Sequence, residues 1–217
     1  MAPAYTHSLV PSDIPAVDLM QPSLVSRPFH RPGWVYEEKY DGWRMLAYKR
    51  GPQVQLLSRA GRDHTRRFPA LVAAIASLAP DTLIFDGEVC IFDTQLLFRF
   101  EWLRERPKDD TGTPPIFMAF DCLWLAGRDL REQALSTRRD QLERALDGQD
   151  MLLPARRLAE DGLKAWAQVV ERGYEGLVAK DPASPYRSGR TVAWLKVKVP
   201  NYREGERGWE QKVSQRG

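Results

Sequence analysis

The stretch Glu37-Glu38-Lys39-Tyr40-Asp41-Gly42-Trp43-Arg44 decides what fold and chemistry to expect from this chain. Its Asp-Gly pair favours a tight turn, and the apolar and aromatic residues around it are typical of a strand hairpin. A lysine amine held at such a turn can also bond covalently to phosphorus once it has lost its proton, which burial and nearby positive charge favour. Two interpretations therefore stand side by side: a charged hairpin turn, and a nucleophilic lysine with Arg44 as a planar donor to phosphate oxygens.

The composition is that of an ordinary globular protein. The chain has 217 residues, 43% hydrophobic and 28% charged, which suffices for one large domain or two small ones. It lacks an apolar run of about 18 residues and a basic segment followed by an apolar one at the N-terminus, so we expect no membrane partner and a cytoplasmic location. The net charge of +3 and pI of about 8.9 are consistent with a polyanionic partner without demonstrating one.

The cysteines and histidines give no sign of a metal site or a disulfide. Cys90 and Cys122 lie in separate apolar, strand-like runs, which predicts buried reduced thiols. The three histidines, His7, His30 and His64, lack the spacing of metal ligands and are expected at the surface.

Strand patterns dominate the chain. Six prolines in residues 1–33 predict an irregular lead-in packed on the domain, with regular structure beginning at Trp34. Alternating residues over 34–58 predict a hairpin that turns at Lys49-Arg50-Gly51-Pro52 and carries the Lys39 loop at its start. Further strands are predicted over residues 83–85 and 89–92 (joined through Asp86-Gly87-Glu88), 116–125, 151–153, 176–180 and 191–199.

Helical patterns are fewer, and a polar surface loop is expected over residues 106–115. Because strands outnumber helices without regular alternation, we expect an α+β fold with largely antiparallel sheets and flanking helices. The predicted helices cover residues 69–78, residues 137–146 after a Ser136 cap, and residues 162–172 between Asp161 and Gly173.

Four other segments place charged or aromatic side chains on or beside strands. The carboxylate of Glu88 suits ribose hydroxyls or a metal, unless Asp86-Gly87-Glu88 is only another turn. Phe120 is either a core residue or a stacking face for a purine. Lys196 and Lys198 share one face of a strand, so this face is either simply exposed or a phosphate clamp. Glu175, before its strand, could equally belong to a solvated edge.

Taken in order, these segments resemble the motifs of ATP-dependent DNA ligases, most closely the bacterial ligases linked to end-joining repair. The resemblance runs from about residue 20 to about residue 199. It rests on Glu37 to Arg44, Ser58-Arg59, Asp86-Gly87-Glu88, Phe120-Asp121, Glu175-Gly176-Leu177-Val178-Ala179-Lys180 and Trp194-Leu195-Lys196-Val197-Lys198.

The resemblance implies a sheet-rich, ATP-grasp-like nucleotidyltransferase domain over residues 34–199. It implies that Lys39 attacks the α-phosphate of ATP to give lysyl-AMP, that AMP moves to a DNA 5′-phosphate, and that a 3′-hydroxyl then seals the nick in DNA repair. The implied cofactors are ATP and Mg²⁺ (or Mn²⁺), and the implied partner is nicked or broken duplex DNA.

It also implies a role for each matching side chain. Lys39 would be the catalytic residue, favoured in its neutral form by neighbouring cations. Glu37 would read the adenine amino group, Phe120 and Val178 would cover the two adenine faces, and Arg44 and Arg59 would meet ribose or phosphate. The remaining assignments are ribose or metal binding for Glu88 and Glu175 and α-phosphate binding for Lys196 and Lys198.

One feature of that family is missing from the sequence. Its members generally carry a downstream OB-fold domain, whereas residues 200–217 form a polar tail too short for one. We therefore expect a catalytic core or a naturally minimal form, a monomer that cooperates with repair proteins or a separate OB-type domain. The alternatives are an RNA ligase, a GTP-using capping-type nucleotidyltransferase, and a nucleotide- or DNA-binding module that depends on a partner.

Overall fold

The computed structural model describes residues 14–93, 103, 112–200 and 202. Within these residues the chain forms ten strands, three α-helices and one short 3₁₀ turn at Thr65–Arg67. The helices are α1 (Pro69–Ser77), α2 (Leu135–Ala145) and α3 (Gly162–Arg172). The strands are β1 (Met20–Leu24), β2 (Val35–Lys39), β3 (Trp43–Arg50), β4 (Gln53–Ser58), β5 (Thr82–Cys90), β6 (Ile116–Leu125), β7 (Arg128–Asp129), β8 (Leu152–Pro154), β9 (Gly176–Lys180) and β10 (Gly189–Lys198).

The strands divide into two sheets. A four-stranded sheet has the order β1-β10-β9-β2, with β1 parallel to β10 and the other pairs antiparallel. A six-stranded sheet has the order β4-β3-β5-β6-β7, with β8 added in parallel beside β6. The predicted α+β class with largely antiparallel sheets is confirmed.

The chain passes from one sheet to the other just after Lys39. β2 ends at Lys39 in the four-stranded sheet, and β3 begins at Trp43 in the six-stranded sheet. Gly42 makes this crossing possible, because a Cβ there would lie 2.4 Å from the carbonyl oxygen of Val89. The interpretation of Asp41-Gly42 as a hairpin turn is therefore wrong, whereas the hairpin of β3 and β4 around Gly51 is confirmed.

The lead-in is more regular than its prolines suggested. Met20–Leu24 forms β1, so regular structure begins before Trp34, contrary to the prediction. Pro22 is tolerated because β1 is an edge strand that pairs with β10 alone. The side chain of Met20 is buried, which ties this strand to the domain.

The segment around Asp86-Gly87-Glu88 is one continuous strand rather than the predicted pair of strands joined by a turn. Gly87 serves close packing, since a Cβ there would lie 2.5 Å from the ring of Phe117. Asp86 is fully buried, and Arg44 compensates its charge there. The carboxylate can therefore lie within a strand and need not be exposed at a turn. The irregularity is limited to two register shifts in the pairing with β6, one between Ile84 and Phe85 and one between Asp86 and Gly87.

The helices largely follow their predicted boundaries. α1 starts at Pro69, and α3 lies between Asp161, which accepts from two backbone N–H groups, and left-handed Gly173. α2 begins earlier than predicted, at Leu135, so Ser136 lies inside the helix rather than capping it. The N–H of Ser136 instead donates to the carbonyl of Pro182.

Four apolar clusters lie within the described residues, and three of them join the helices and the two sheets. The largest packs α1 and α2 against the six-stranded sheet, and another packs α3 against the four-stranded sheet. A third joins the two sheets, with Leu46 of β3 and Trp194 of β10 among its members. Cys90 and Cys122 are buried free thiols, as predicted. None of the helices in the described ranges has the length and apolar character that a bilayer crossing requires. Residues 106–111 of the predicted loop lie outside the described residues.

Candidate active site

A cavity of about 390 Å³ lies between the two sheets. It is lined by side chains from β2, β9 and β10 on one side and from β3, β5 and β6 on the other. Most of the side chains singled out from the sequence meet there: Glu37, Lys39, Arg44, Arg59, Glu88, Phe120, Val178 and Lys196. The two others adjoin this cavity: Glu175 contacts Lys39, and Lys198 contacts Glu175.

Lys39 lies at the end of β2, beside the start of β9. Its amine donates to the carboxylate of Glu175 and to the backbone carbonyl of Tyr40, at 3.2 Å. The second oxygen of Glu175 lies 2.7 Å from the amine of Lys198. Pairing of Lys39 with Gly176 sets this arrangement, and a Cβ at Gly176 would lie 2.1 Å from the carbonyl oxygen of Val197. The surroundings of Lys39 therefore include an anion as well as the expected cations.

The two lysines of β10 share one sheet face, as their spacing predicted. Lys196 pairs with Val178 and lines the cavity, whereas Lys198 pairs with Gly176 and reaches Glu175 from the more exposed end. Burial, with Lys39, Lys198 and Arg190, lowers the pKa of Lys196. A cation whose charge is disfavoured in this way gains from an anionic ligand.

The opposite end of the cavity is built around Glu37, which is 3% exposed. One of its oxygens lies 2.9 Å from Nη1 of Arg139, and the other lies 2.5 Å from the amine of Lys180. Both cations are buried as well. Desolvation lowers the pKa of Lys180, and Glu37 opposes that effect.

Lys180 and Arg139 are two site residues that sequence reasoning missed. Lys180 carried a usable signal, since it lies two residues from Val178 on β9 and so shares its face. Arg139 carried none, because it reaches Glu37 from α2 across 102 residues of sequence. Only the tertiary structure brings the two together.

The ring of Phe120 lies in the cavity between cationic groups. The guanidinium carbon of Arg44 is 5.3 Å from the ring centroid, and the amine of Lys180 is 4.8 Å away. The ring also meets Trp194 edge to face, with centroids 6.1 Å apart. Phe120 is only partly buried, so part of the ring remains accessible from the cavity.

Arg44 and Glu88 line the side of the cavity formed by the six-stranded sheet. Arg44 makes a bidentate pair with Asp86, at 3.0 and 2.7 Å, which outweighs burial and raises the arginine's pKa. Glu88 accepts a hydrogen bond of 2.8 Å from the N–H of Gly42. Burial raises the pKa of Glu88 to about 7, against the effect of Lys39. Arg59 is exposed and donates to Gln21 of β1, at 3.3 Å.

The carboxylates of Glu88 and Glu175 supply oxygen donors, the type that Mg²⁺ prefers. Within the described ranges, no group of three or more His, Cys, Asp or Glu side chains is placed to hold a metal ion. Mg²⁺ is commonly bound by one or two carboxylates together with substrate phosphates. The two glutamates therefore fit a magnesium that a phosphate-bearing substrate helps to hold, and they do not form an all-protein cage.

Known proteins are similar to this chain in sequence. The Pseudomonas aeruginosa protein named multifunctional non-homologous end joining protein LigD is 36% identical over 178 residues, covering 81% of this chain and 21% of that protein. DNA ligase C1 of Mycolicibacterium smegmatis is 30% identical over 211 residues, covering 89% of this chain and 60% of the ligase. The chain thus spans about a fifth of LigD and less than two thirds of the ligase.

Solved structures share the fold. The ligase domain of LigD from M. tuberculosis has a TM-score of 0.70 at 31% identity, over 83% of this chain and 59% of that one. A mycobacterial DNA ligase D complexed with ATP and MES has a TM-score of 0.66 at 31% identity, over 82% of this chain and 60% of that one. The family profile described as ATP dependent DNA ligase domain matches residues 17–198. Because this match covers most of the sequence, the chain belongs to the ATP-dependent DNA ligase domain family.

Proposed function

We propose that this chain is an adenylation domain that transfers AMP from ATP to Lys39 and then to a DNA 5′-phosphate. The observation that carries the proposal is the position of the Lys39 amine, which lies in one cavity with Lys196, Arg44, Glu37 and the ring of Phe120. This layout suits a nucleotide whose phosphates approach the lysine while its base lies beside the aromatic ring. The related mycobacterial DNA ligase D, whose structure contains ATP, supports it.

The first step forms one bond and breaks another. The nitrogen of Lys39 attacks the α-phosphorus of ATP, a P–N bond forms, and the P–O bond to the leaving pyrophosphate breaks. The amine gives up its proton in the process. An oxygen of a DNA 5′-phosphate then attacks the same phosphorus and releases the lysine. In the last step a 3′-hydroxyl attacks the DNA 5′-phosphate and displaces AMP.

The end of the cavity around Glu37 favours adenine over guanine. A carboxylate between two cations offers only acceptors, and the amine of Lys180 offers only donors. Adenine presents a donor at its amino group and an acceptor at N1, which matches this pair. Guanine presents the reverse pattern, and each buried mismatch costs about 1–3 kcal/mol. Phe120 and Val178 would cover the two faces of the base.

The phosphate end of the cavity carries several cations. Lys196, Arg44 and Arg59 line the cavity where the triphosphate would lie, and Lys198 adjoins it. In the resting protein the Lys39 amine is paired with Glu175, so attack on phosphorus requires that this contact be broken. Magnesium (or manganese) held by Glu88, Glu175 and phosphate oxygens would neutralise charge on the transferring group.

The chain matches only part of the length of its relatives. The DNA substrate, the cooperating proteins and the cellular location are therefore proposals. We infer that the substrate is nicked or broken duplex DNA, because the relatives include a non-homologous end joining protein and a DNA ligase. We also propose that the chain is a monomer in the cytoplasm. RNA ligation remains the competing activity. The substrate chase described below separates the two.

The decisive experiment is self-adenylation followed by a substrate chase. Protein incubated with ATP and Mg²⁺ should gain one AMP on Lys39, detected by intact-mass and peptide mass spectrometry, and GTP should give far less. Lys39→Arg should show no adduct, whereas Lys164→Arg, a change at an exposed lysine of α3, should label normally. AMP should then move to nicked duplex DNA in preference to nicked RNA. A wild-type protein that gains no AMP, or an AMP adduct that still forms in Lys39→Arg, would contradict the proposal.

A further inference from the structure

The hydroxyl of Tyr186 closes a ring of hydrogen bonds around Arg44. It donates to Oδ2 of Asp86 at 2.7 Å and accepts from the N–H of Met20 at 3.1 Å. Nη2 of Arg44 donates to the same Oδ2 of Asp86, and also to the carbonyl oxygen of Met20 at 2.8 Å. The ring therefore runs from Tyr186 through Asp86, Arg44 and Met20 back to Tyr186.

This ring joins elements that are distant in sequence. Met20 belongs to β1 of the four-stranded sheet, whereas Arg44 and Asp86 belong to β3 and β5 of the six-stranded sheet. Tyr186 lies in the connection between β9 and β10 and is 166 residues from Met20. The ring is thus a link between the two sheets at the cavity.

The position of Tyr186 is itself fixed. Its ring is buried and meets Trp194 edge to face, with centroids 6.0 Å apart. Its N–H donates to the carbonyl of Arg131, and the guanidinium of buried Arg138 lies 5.9 Å from its ring centroid. Burial and the nearby Asp86 carboxylate raise the pKa of Tyr186 far above its ordinary value, so the hydroxyl keeps the proton that it donates.

Only part of the Arg44 guanidinium is used by this ring. Among the described residues, its hydrogen bonds run from Nε and Nη2 to Asp86 and Met20, while the side chain lines the cavity near Phe120. A planar guanidinium fixed along one edge presents its remaining N–H groups in a set direction. Orientation of this kind raises the rate of a reaction without a new contact to the substrate.

We propose that Tyr186 is a positioning residue that holds Arg44 in the orientation required to bind a substrate phosphate. The proposal rests on the proposed function for its catalytic consequence, but its structural content does not. Tyr186 lies outside the segments that led to the sequence assignments. It also explains why β1, from the proline-rich lead-in, forms part of the cavity wall.

Tyr186→Phe tests this by removing one oxygen atom. The single-turnover rate of the step that depends on Arg44, whether Lys39 adenylation or AMP transfer to nicked DNA, should fall about tenfold, the effect of one charge-assisted hydrogen bond. In an Arg44→Lys background the same change should cost less than about twofold, because the two residues act as a unit. Tyr48→Phe is the matched control, since the Tyr48 hydroxyl accepts from Val17 in the same N-terminal segment.

The control separates positioning from general stability. Both tyrosine variants should lose stability in urea unfolding, Tyr186→Phe the more because its hydroxyl donates to a buried carboxylate, and only Tyr186→Phe should slow the reaction. Equal rate losses in the two variants, or additive losses with Arg44→Lys, would contradict the proposal.

A crystal structure of Tyr186→Phe decides the structural content independently of any activity. The expected result is an Arg44 guanidinium that has left the carbonyl of Met20 or adopted several orientations. An unchanged Arg44, still bound to Asp86 and Met20, would overturn the proposal even in an active enzyme. A wild-type protein that accepts no AMP would instead remove the proposed function, and the crystal structure would still decide whether Tyr186 positions Arg44.

Discussion

Glu37 and Glu175 are two buried carboxylates, each shared between two cations, and they differ in how open those cations are to solvent. Glu37 is 3% exposed and Glu175 is 4% exposed. The partners of Glu37, Arg139 and Lys180, have side chains only 4% and 2% exposed. The partners of Glu175, Lys39 and Lys198, are 18% and 48% exposed. One end of the cavity is closed and the other is open.

The difference has a physical consequence for what each end does. Removing one partner from a fully buried ion pair leaves an uncompensated charge, so the group around Glu37 cannot rearrange without a large loss of stability. A partly exposed lysine regains water when its contact breaks, so the group around Glu175 can exchange partners at low cost. The closed end therefore suits a fixed template for a base, and the open end suits phosphates that arrive and leave.

The largest expected effect comes from breaking the closed end. Arg139→Met keeps much of the side-chain volume but leaves Glu37 with Lys180 as its remaining cation, and it also removes donors to Glu143 and to the carbonyl of Ala155. The free energy of unfolding should fall by about 3–5 kcal/mol, as for other buried ion pairs that lose one partner. Urea unfolding followed by circular dichroism measures it.

Arg144→Met provides the matched control for that prediction. Arg144 lies on the same helix and is exposed, so its replacement should change stability by no more than about 0.5 kcal/mol. Similar losses from the two variants would show that Glu37 is not held as a fixed template, and the contrast between the two ends would disappear.

The residues around Lys39 could be predicted from the sequence, whereas part of the group around Glu37 could not. The acidic and basic residues near Lys39 lie on strands whose period of two fixes their faces, so the meeting of Lys39, Glu88 and Lys196 in one cavity could be anticipated from the resemblance. The partner of Glu37 on α2 could not, because no local pattern tells an arginine on a helix which distant carboxylate it will reach. The predicted turn at Asp86-Gly87-Glu88 was wrong for a related reason, since Gly87 permits close packing against the Phe117 ring and does not form a turn.

The helices and strands could be predicted from the sequence more fully than the division of the strands into two sheets. β6 and α3 have their predicted bounds, because an apolar run and a capped amphipathic helix are local signals. The division into two sheets was not foreseen, since the crossing at Gly42 depends on close approach to Val89, a contact between residues distant in sequence. β1 was missed because its pairing with β10 spans most of the chain.

A third carboxylate, Glu38, sharpens the comparison, because Arg156 is the one cation in direct contact with it among the described residues. It is 7% exposed, and Nη1 of Arg156 lies 3.1 Å from its Oε2. Burial raises the pKa of Glu38 from 4.5 to about 7, although Arg156 opposes the shift. Between these two values the folded protein keeps a proton that the unfolded chain has lost, so stability falls as pH rises through this window.

Glu38→Gln should remove that fall. As pH rises from about 4.5 to about 7, the free energy of unfolding of the wild type should fall relative to that of Glu38→Gln. The relative fall should be of the order of 3 kcal/mol at most. Taking the difference between the two proteins is necessary because Glu88 titrates in the same direction. Urea unfolding at several pH values gives it, with Glu171→Gln, at an exposed position of α3, as the control. Parallel pH profiles for wild type and Glu38→Gln would mean that Arg156 compensates burial in full.

The smallest effect on stability is expected at the open end. Lys198→Met removes one partner of Glu175, but the lysine side chain is 48% exposed and Lys39 remains beside the carboxylate. The free energy of unfolding should change by no more than about 1 kcal/mol, as for exposed ion pairs. The rate of AMP transfer to Lys39 should nevertheless fall, because a cation beside the phosphates is lost. Lys164→Met on α3 should leave both quantities unchanged. If Lys198→Met instead destabilised the fold as strongly as Arg139→Met, the open end would be as rigid as the closed one, and solvent exposure would not explain their different roles.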